Sequence, residues 1–263
     1  MRKYTRIVGA SLLAMGSMTV FNACADAARG LEIAKEVDLR DRGFGSSENS
    51  MTMTLRDQHG NERTRYIRNR TLEVLDEGDK AIIVFDNPGD VKGTAFLSHT
   101  HKAGPDDQWL FLPRLGKTKR ISSSNKAGAF MNSEFAFEDI SSQEVEKYSY
   151  NFLRDDDIDG HKVFVNELDP VDPKSGYSKI NVWVDQVRFI PLKIEFYNPG
   201  GALKKSLTLS QYNQHKGKYW RAENWAMTNH LTGKSTVLEM TDWNFDISFN
   251  SKDFNKNSLS RVK

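Results

Sequence analysis

Residues 179–209 read KINVWVDQVRFIPLKIEFYNPGGALKKSLTL, and their pattern sets the fold. Ile180, Val182 and Val184 share one face of a segment over 178–185. Ile190, Leu192, Ile194 and Phe196 alternate with Pro191, Lys193 and Glu195. Asn198-Pro199-Gly200-Gly201 then turns the chain into 203–209, which carries Leu203, Leu207 and Leu209. Apolar residues at period 2, cut by tight turns, are the pattern of an antiparallel meander with one face toward a core.

The same pattern extends in both directions. Upstream, Met51, Met53 and Leu55 alternate with Thr52, Thr54 and Arg56 before the turn His59-Gly60-Asn61. Strands follow over 63–75 and 81–85, and a hairpin over 93–100 and 108–113. Residues 146–153 and 161–168 flank the turn Asp155 to Gly160. Downstream, 218–228 and 235–241 form a hairpin, and Trp243, Phe245, Ile247 and Phe249 alternate again. The sum is one sheet of about ten or eleven antiparallel strands. Helical spacing occurs over 28–41, where Leu31, Ala34 and Val37 share a side. The stretch 121–142 breaks the alternation and reads as a loop with a short helix. Without repeats or linker-like tracts, 26–263 reads as a single domain.

Residues 1–25 have the layout of a cleaved export signal: Arg2, Lys3 and Arg6, an apolar run from Ile7 to Phe21, then small residues ending at Ala25. The apolar run is short for a bilayer span of about 20 residues. Cleavage after Ala25 removes three basic residues and no acid, turning a formal +2 into −1. It also removes Cys24, the single cysteine. A cysteine-free, near-neutral mature chain suits an oxidising envelope compartment. Lipid anchoring at Cys24 is a second reading, against which Phe21-Asn22-Ala23 lacks the Leu-Ser/Ala pattern before the cysteine. No later stretch reaches 18 apolar residues, so a soluble mature protein is expected. The balanced charge, 37 basic against 35 acidic residues, gives no support for nucleic-acid binding.

A long antiparallel sheet twists and curls. Two short helical segments cannot fill the inside of so wide a surface. The sheet either closes around side chains or curls part-way and leaves a hollow suited to an acyl chain. Trp109 and Phe111 share one face of their strand, with Leu110 and Leu112 on the other; they line such a hollow or belong to a plain core. Phe130, Met131, Phe135 and Phe137 form an aromatic cluster in a Ser- and Gly-rich segment, either a lid or a segment fixed to the mouth. Val182, Leu192, Ile194 and Phe196 supply the expected inner face of the second half.

Two stretches resemble the LolA/LolB-like superfamily of periplasmic outer-membrane lipoprotein-sorting proteins. The first is Gln108 to Pro113 (QWLFLP), Lys119 to Ser123 (KRISS), Phe130-Met131, and Phe135 to Asp139. It is similar to the branch found beside exporters of the resistance-nodulation-division type. The second is Gly160 to Leu168, Tyr177 to Asp185, and Ile190 to Tyr197. Asn132 and Phe189 stand where that branch has glycine. The resemblance implies an unclosed β-barrel with short helices as a lid over an apolar cavity. It implies a monomeric, non-enzymatic carrier of lipid or lipoprotein acyl chains, working toward the outer membrane. An inner-membrane exporter or an outer-membrane acceptor would be its partner. The alternative is an accessory protein that docks to the exporter and has no carrier cavity.

Arg114, Lys117, Lys119 and Arg120 form a basic run able to meet a lipid phosphate or an acidic partner, or simply water. Asp155, Asp157, Asp159 and Gly160 match half of a calcium loop. Asn166 stands at its twelfth position and a strand follows, so a hairpin turn is expected. His99 and His101 lack a third ligand nearby. No nucleophile elbow, P-loop, dinucleotide fingerprint or zinc-protease motif occurs. No catalytic residue, metal or cofactor is therefore expected.

Overall fold

The computed structural model describes residues 17–262, with side chains from Asp26 onward. Of the expected export segment, residues 1–16 lie outside the described residues. Helix α1 (Ser17–Asp41) starts within that segment and runs through the helix expected over 28–41. The chain turns sharply after α1. Gly43 and Gly45 both hold positive φ, and their backbone N–H groups donate to the two carboxylate oxygens of Glu73, each at 2.7 Å. That carboxylate ties the end of the helix to the sheet.

Thirteen strands follow, each antiparallel to its neighbours. The first six are β1 (Ser46–Arg56), β2 (Glu62–Leu72), β3 (Lys80–Asn87), β4 (Ala95–His99), β5 (Asp107–Leu112) and β6 (Lys117–Ile121). The next four are β7 (Tyr148–Ile158), β8 (His161–Pro170), β9 (Lys179–Asp185) and β10 (Pro191–Tyr197). The last three are β11 (Leu203–His215), β12 (Tyr219–Asn229) and β13 (Ser235–Phe245). Two meanders, β1–β6 and β7–β13, join where β1 pairs with β13 at the middle of the sheet. The free edges are β6 and β7, which are consecutive in sequence yet do not pair. The sheet is mostly β architecture curled but not closed into a barrel. A bulge at Asp242, which holds positive φ, interrupts β13 and bends it.

One large apolar cluster lines the concave face, from Met53, Phe85 and Phe96 in the first half to Ile180, Phe196, Leu207 and Met227 in the second. The convex face is covered in two places. The tail after β13 lays Phe249, Phe254 and Leu259 over Ile82, Val84, Ala95 and Leu97. Val163, Val165, Trp183 and Leu192 form a smaller outer cluster.

Four expectations change. Residues 246–249 belong to the tail rather than to a strand, although Ile247 and Phe249 alternate. β6 is a strand that alternation did not mark, because its side chains are nearly all exposed. The segment between the two edges holds short 3-10 turns, at Phe130–Asn132 and Phe137–Asp139, in place of a helix. The expected group of lid helices reduces to one α-helix among the described residues.

Helix α1 covers the free edge of β7 and approaches it closely at Gly30. A Cβ there would stand 2.7 Å from Asn166 Oδ1 and 2.8 Å from the Phe152 backbone nitrogen. The Asn166 amide donates to the Gly30 carbonyl at 2.9 Å. Gly30→Ala is expected to lower the urea unfolding midpoint, with a loss of about 1–3 kcal/mol from overpacking.

Candidate functional site

Because β6 and β7 do not meet, residues 122–147 must cross the concave face from one edge to the other. At its centre the segment folds back on itself. Ala129 bridges Ala136, and the Phe130 N–H donates to the Phe135 carbonyl at 2.7 Å. Met131 and Asn132 form the tip with positive φ, where Asn is among the better tolerated residues. The two rings fork apart. Phe130, 1% exposed, packs edge-on against Phe96 at 5.2 Å and Phe137 at 5.5 Å. Phe135, fully buried, lies 6.5 Å from Trp225.

Polar groups fix this hairpin to the sheet. Lys205, 2% exposed, donates to Asp139 Oδ2 at 2.5 Å and to the Glu134 carbonyl at 2.9 Å. The Tyr177 hydroxyl donates to the other Asp139 oxygen at 2.7 Å, and the Ala136 N–H donates to Oδ2 at 2.6 Å. Burial beside these carboxylates holds the Tyr177 hydroxyl well above its ordinary pKa, so it stays a donor. Asn229 donates to Glu134, Gln108 to the Phe137 carbonyl and Ser141, and Arg65 to the Met131 carbonyl. Strands β2, β5, β11 and β12 thus all hold the segment.

Beside this hairpin, under the second half of α1, the concave face is hollow. A chamber of about 700 Å³ has Phe135, Phe196, Leu207, Leu209, Trp225 and Met240 in its wall. A second of about 320 Å³ adjoins it, sharing Val37, Asp41, Phe44, Pro191 and Ile194. Both volumes fall in the roughly 300–1,000 Å³ range of small-molecule sites. A third recess of about 550 Å³ lies in the gap between the sheet edges, with Lys126, Lys147 and Asp172 in its wall.

The residues singled out from sequence divide between these places. Ile194 borders both chambers, Val182 the smaller, and Phe135 and Phe196 the larger. Phe130, Phe137 and Met131 pack in or against the concave cluster on the far side of the hairpin. Trp109 and Phe111 sit on the convex face against the cluster of the C-terminal tail, while Leu110 points inward. Leu192 also faces outward. Pro191 pairs with Val184 and Lys193 with Trp183, so Leu192 is the extra residue of a bulge and turns away from the hollow. Arg114, Lys119 and Arg120 are exposed on the β5–β6 hairpin, distant in the sheet order from the chamber walls, and Arg120 pairs with Asp107. His99 bonds the Phe254 carbonyl, and His101 bonds Glu77 and Asp107. Asp157 caps the β7–β8 turn by accepting from the Gly160 N–H. Sequence reasoning passed over Val37, Phe44, Trp225 and Met240. Alternation around Met227 and Leu238 was the signal for the last two.

The crossing segment's far end meets the β2–β3 turn at a pair of buried carboxyls. Burial raises Asp79 to about 6, with a smaller contribution from the charge of Glu73, and raises Glu144 to about 7, with a smaller contribution from that of Asp79. Ser142 donates to Asp79 at 3.2 Å in the same contact.

A family model described only as "-like: Uncharacterized protein" matches residues 77–261. A solved domain from Vibrio parahaemolyticus, named for outer membrane lipoprotein sorting, is 52% identical. The match covers 89% of this chain and 100% of that one, with a TM-score of 0.88. A DUF1329 family protein from Desulfovibrio piger is 25% identical over 89% of this chain and 99% of that one, with a TM-score of 0.84. A LolA superfamily protein from Nitrosomonas europaea shares the fold, with 24% identity, a TM-score of 0.70, and coverage of 87% and 98%. No curated protein matches the sequence.

Two consequences can be measured. Lys205→Met leaves the Asp139 carboxylate buried without its cation, so a loss of about 3–5 kcal/mol in urea unfolding is expected; adding Asp139→Asn should recover part of it. The raised carboxyl pKa values set a pH dependence. Both groups bind protons more tightly when folded, so their contribution is full below about pH 4 and is lost as pH rises through 6 to 7. Glu144→Gln is therefore expected to raise the unfolding midpoint at pH 8, by about 1 kcal/mol, and to leave it unchanged at pH 4.

Proposed function

Because the chain belongs to the family of the outer membrane lipoprotein-sorting domain and shares the fold of a LolA superfamily protein, we propose that it is a periplasmic carrier that shelters acyl chains in the hollow between α1 and the sheet. The observation that carries this reading is the pair of adjoining chambers, of about 320 and 700 Å³, on the concave face. Their deep wall is aliphatic and aromatic, and it is reached beside a helix docked on a sheet edge. Removing a chain from water gains roughly 0.8 kcal/mol per CH₂, against which the costs of ordering the chain are set. A dozen buried methylenes would suffice for useful affinity. The exporter-docking alternative called for a filled interior, and the chambers speak against that form of it. The exposed basic edge of β6 remains a surface on which an exporter or an acceptor could dock during transfer. Carrying a lipid across an aqueous compartment requires binding and release, not bond chemistry.

The test is uptake of a fluorescent fatty acyl probe, together with mass spectrometry of lipid co-purifying from the envelope. Ala222 is buried and borders the larger chamber, so Ala222→Trp should fill it and reduce uptake at least tenfold. Leu192→Glu, on the convex face, should leave uptake unchanged in the folded protein. Undiminished uptake in folded Ala222→Trp would place the acyl chain elsewhere.

A further inference from the structure

The mouth of the larger chamber carries four cations brought together from four parts of the chain. Arg40 comes from α1, Arg188 from the β9–β10 turn, Lys218 from the β11–β12 turn and Arg221 from β12. Each lies on an aromatic ring. The Arg40 guanidinium is 4.3 Å from the Phe189 centroid, and Arg188 is 5.7 Å from Trp220. Lys218 is 4.8 Å from Tyr219, and Arg221 lies 5.3 to 6.0 Å from Phe44, Tyr219, Trp243 and Phe245. Stacking on a face holds a guanidinium in place and leaves its in-plane N–H groups free to donate.

Three carboxylates offset these charges: Glu36 on Arg40, Asp185 on Arg188 and Asp41 on Arg221. They do not exhaust the donors. Asp185 accepts from Arg188 Nε and Nη2, so Nη1 is left over. Arg221 spends only Nη1, on Asp41 and the Trp220 carbonyl. Asp139 and Asp79 also border the chamber. Asp139 is taken up by Lys205 and Tyr177, and Asp79 accepts from the crossing segment and the β2–β3 turn.

Further in, the chamber wall holds Trp243 and Trp225. The indole Nε1 of each is buried and has no hydrogen-bond partner among the described residues. Both nitrogens are closed off from the chamber, so the rings offer a guest's tail only their flat apolar surface.

We infer that the larger chamber takes an amphiphile with an anionic, oxygen-rich head, a carboxylate or a phosphate, whose head meets Arg40, Arg188, Lys218 and Arg221 while its tail lies along the aliphatic wall. This rests on the carrier reading and narrows it to a class of lipid. Phe189 supports the assignment. It holds φ 54°, a conformation that suits glycine, with its ring under Arg40 and 5.8 Å from Phe164. A glycine there would satisfy the backbone and supply no ring for the cation.

The experiment is titration of the full mature protein at pH 8 with dodecanoate, dodecyl phosphate and methyl dodecanoate, read by tryptophan emission and by calorimetry. The two anions are expected to bind at least tenfold more tightly than the ester. Raising NaCl from 50 to 500 mM should weaken the anions alone. The tighter anion identifies the head as carboxylate or phosphate. The triple variant Arg40→Gln, Arg188→Gln, Lys218→Gln should bring the anions to within threefold of the ester; if it fails to fold, the salt series on the native protein decides. Equal binding of ester and anions, without salt dependence, overturns the headgroup assignment and leaves the carrier reading standing. Absence of binding by all three probes overturns both.

Discussion

The two outermost strands of the sheet never pair, and the geometry of the molecule depends on that. A closed barrel of thirteen strands would have satisfied its edges by itself. Here the chain leaves β6 at one edge and must reach β7 at the other, so it crosses the concave face. The crossing is held inside rather than laid over the top, because Phe130 and Phe135 gain burial and because Asp139 finds Lys205 and Tyr177 beneath it. The crossing segment fills one side of the concavity. What remains beside it, roofed by α1, is the hollow.

Holding the segment with a buried ion pair is costly compared with an apolar plug of the same volume. The arrangement is nonetheless complete. Both Asp139 oxygens are occupied by donors, and Lys205 reaches a carboxylate and a backbone carbonyl. A fully satisfied polar cluster restricts the segment to one register, since sliding by a residue would strand a charge away from water. A greasy loop over a greasy concavity has no such restriction. It would compete with the acyl chain for the same surface. The polar anchor therefore keeps the segment out of the chambers, which an aromatic lid alone would not do.

Most of the sheet was legible from alternation, because each strand has one buried face and the turn residues stand where the pattern stops. The departures have separate physical causes. β6, Lys117–Ile121, buries almost nothing and so leaves no hydrophobic signal. Trp109 and Phe111 were on the right strand and the wrong side: with apolar residues on both faces, only the C-terminal tail determines which face is outward. Leu192 was misplaced by a bulge that one sequence does not announce. The hairpin at Phe130 read as a helix because its apolar spacing is short and has no strand partner outside itself. The two departures from the family pattern, Asn132 and Phe189, fall at backbone positions with φ of 60° and 54°. Positive φ is the conformation that glycine adopts most readily.

The mouth of the larger chamber was not legible at all. Arg40, Arg188, Lys218 and Arg221 are scattered over 182 positions, each in a stretch whose local pattern says only surface. They converge because β1 pairs with β13, which brings the last strands beside the region under α1, and because the β9–β10 turn folds toward the helix, where the Val187 carbonyl accepts from Arg40 at 2.7 Å. The basic run that sequence did display, Arg114 to Arg120, lies instead on the exposed outer hairpin. Charge density along a chain reports which residues water can reach. Charge density around a cavity depends on topology. In this fold the topology places the cations, and with them the preference for a charged head, at the mouth of the chamber whose deep wall is built for a hydrocarbon tail.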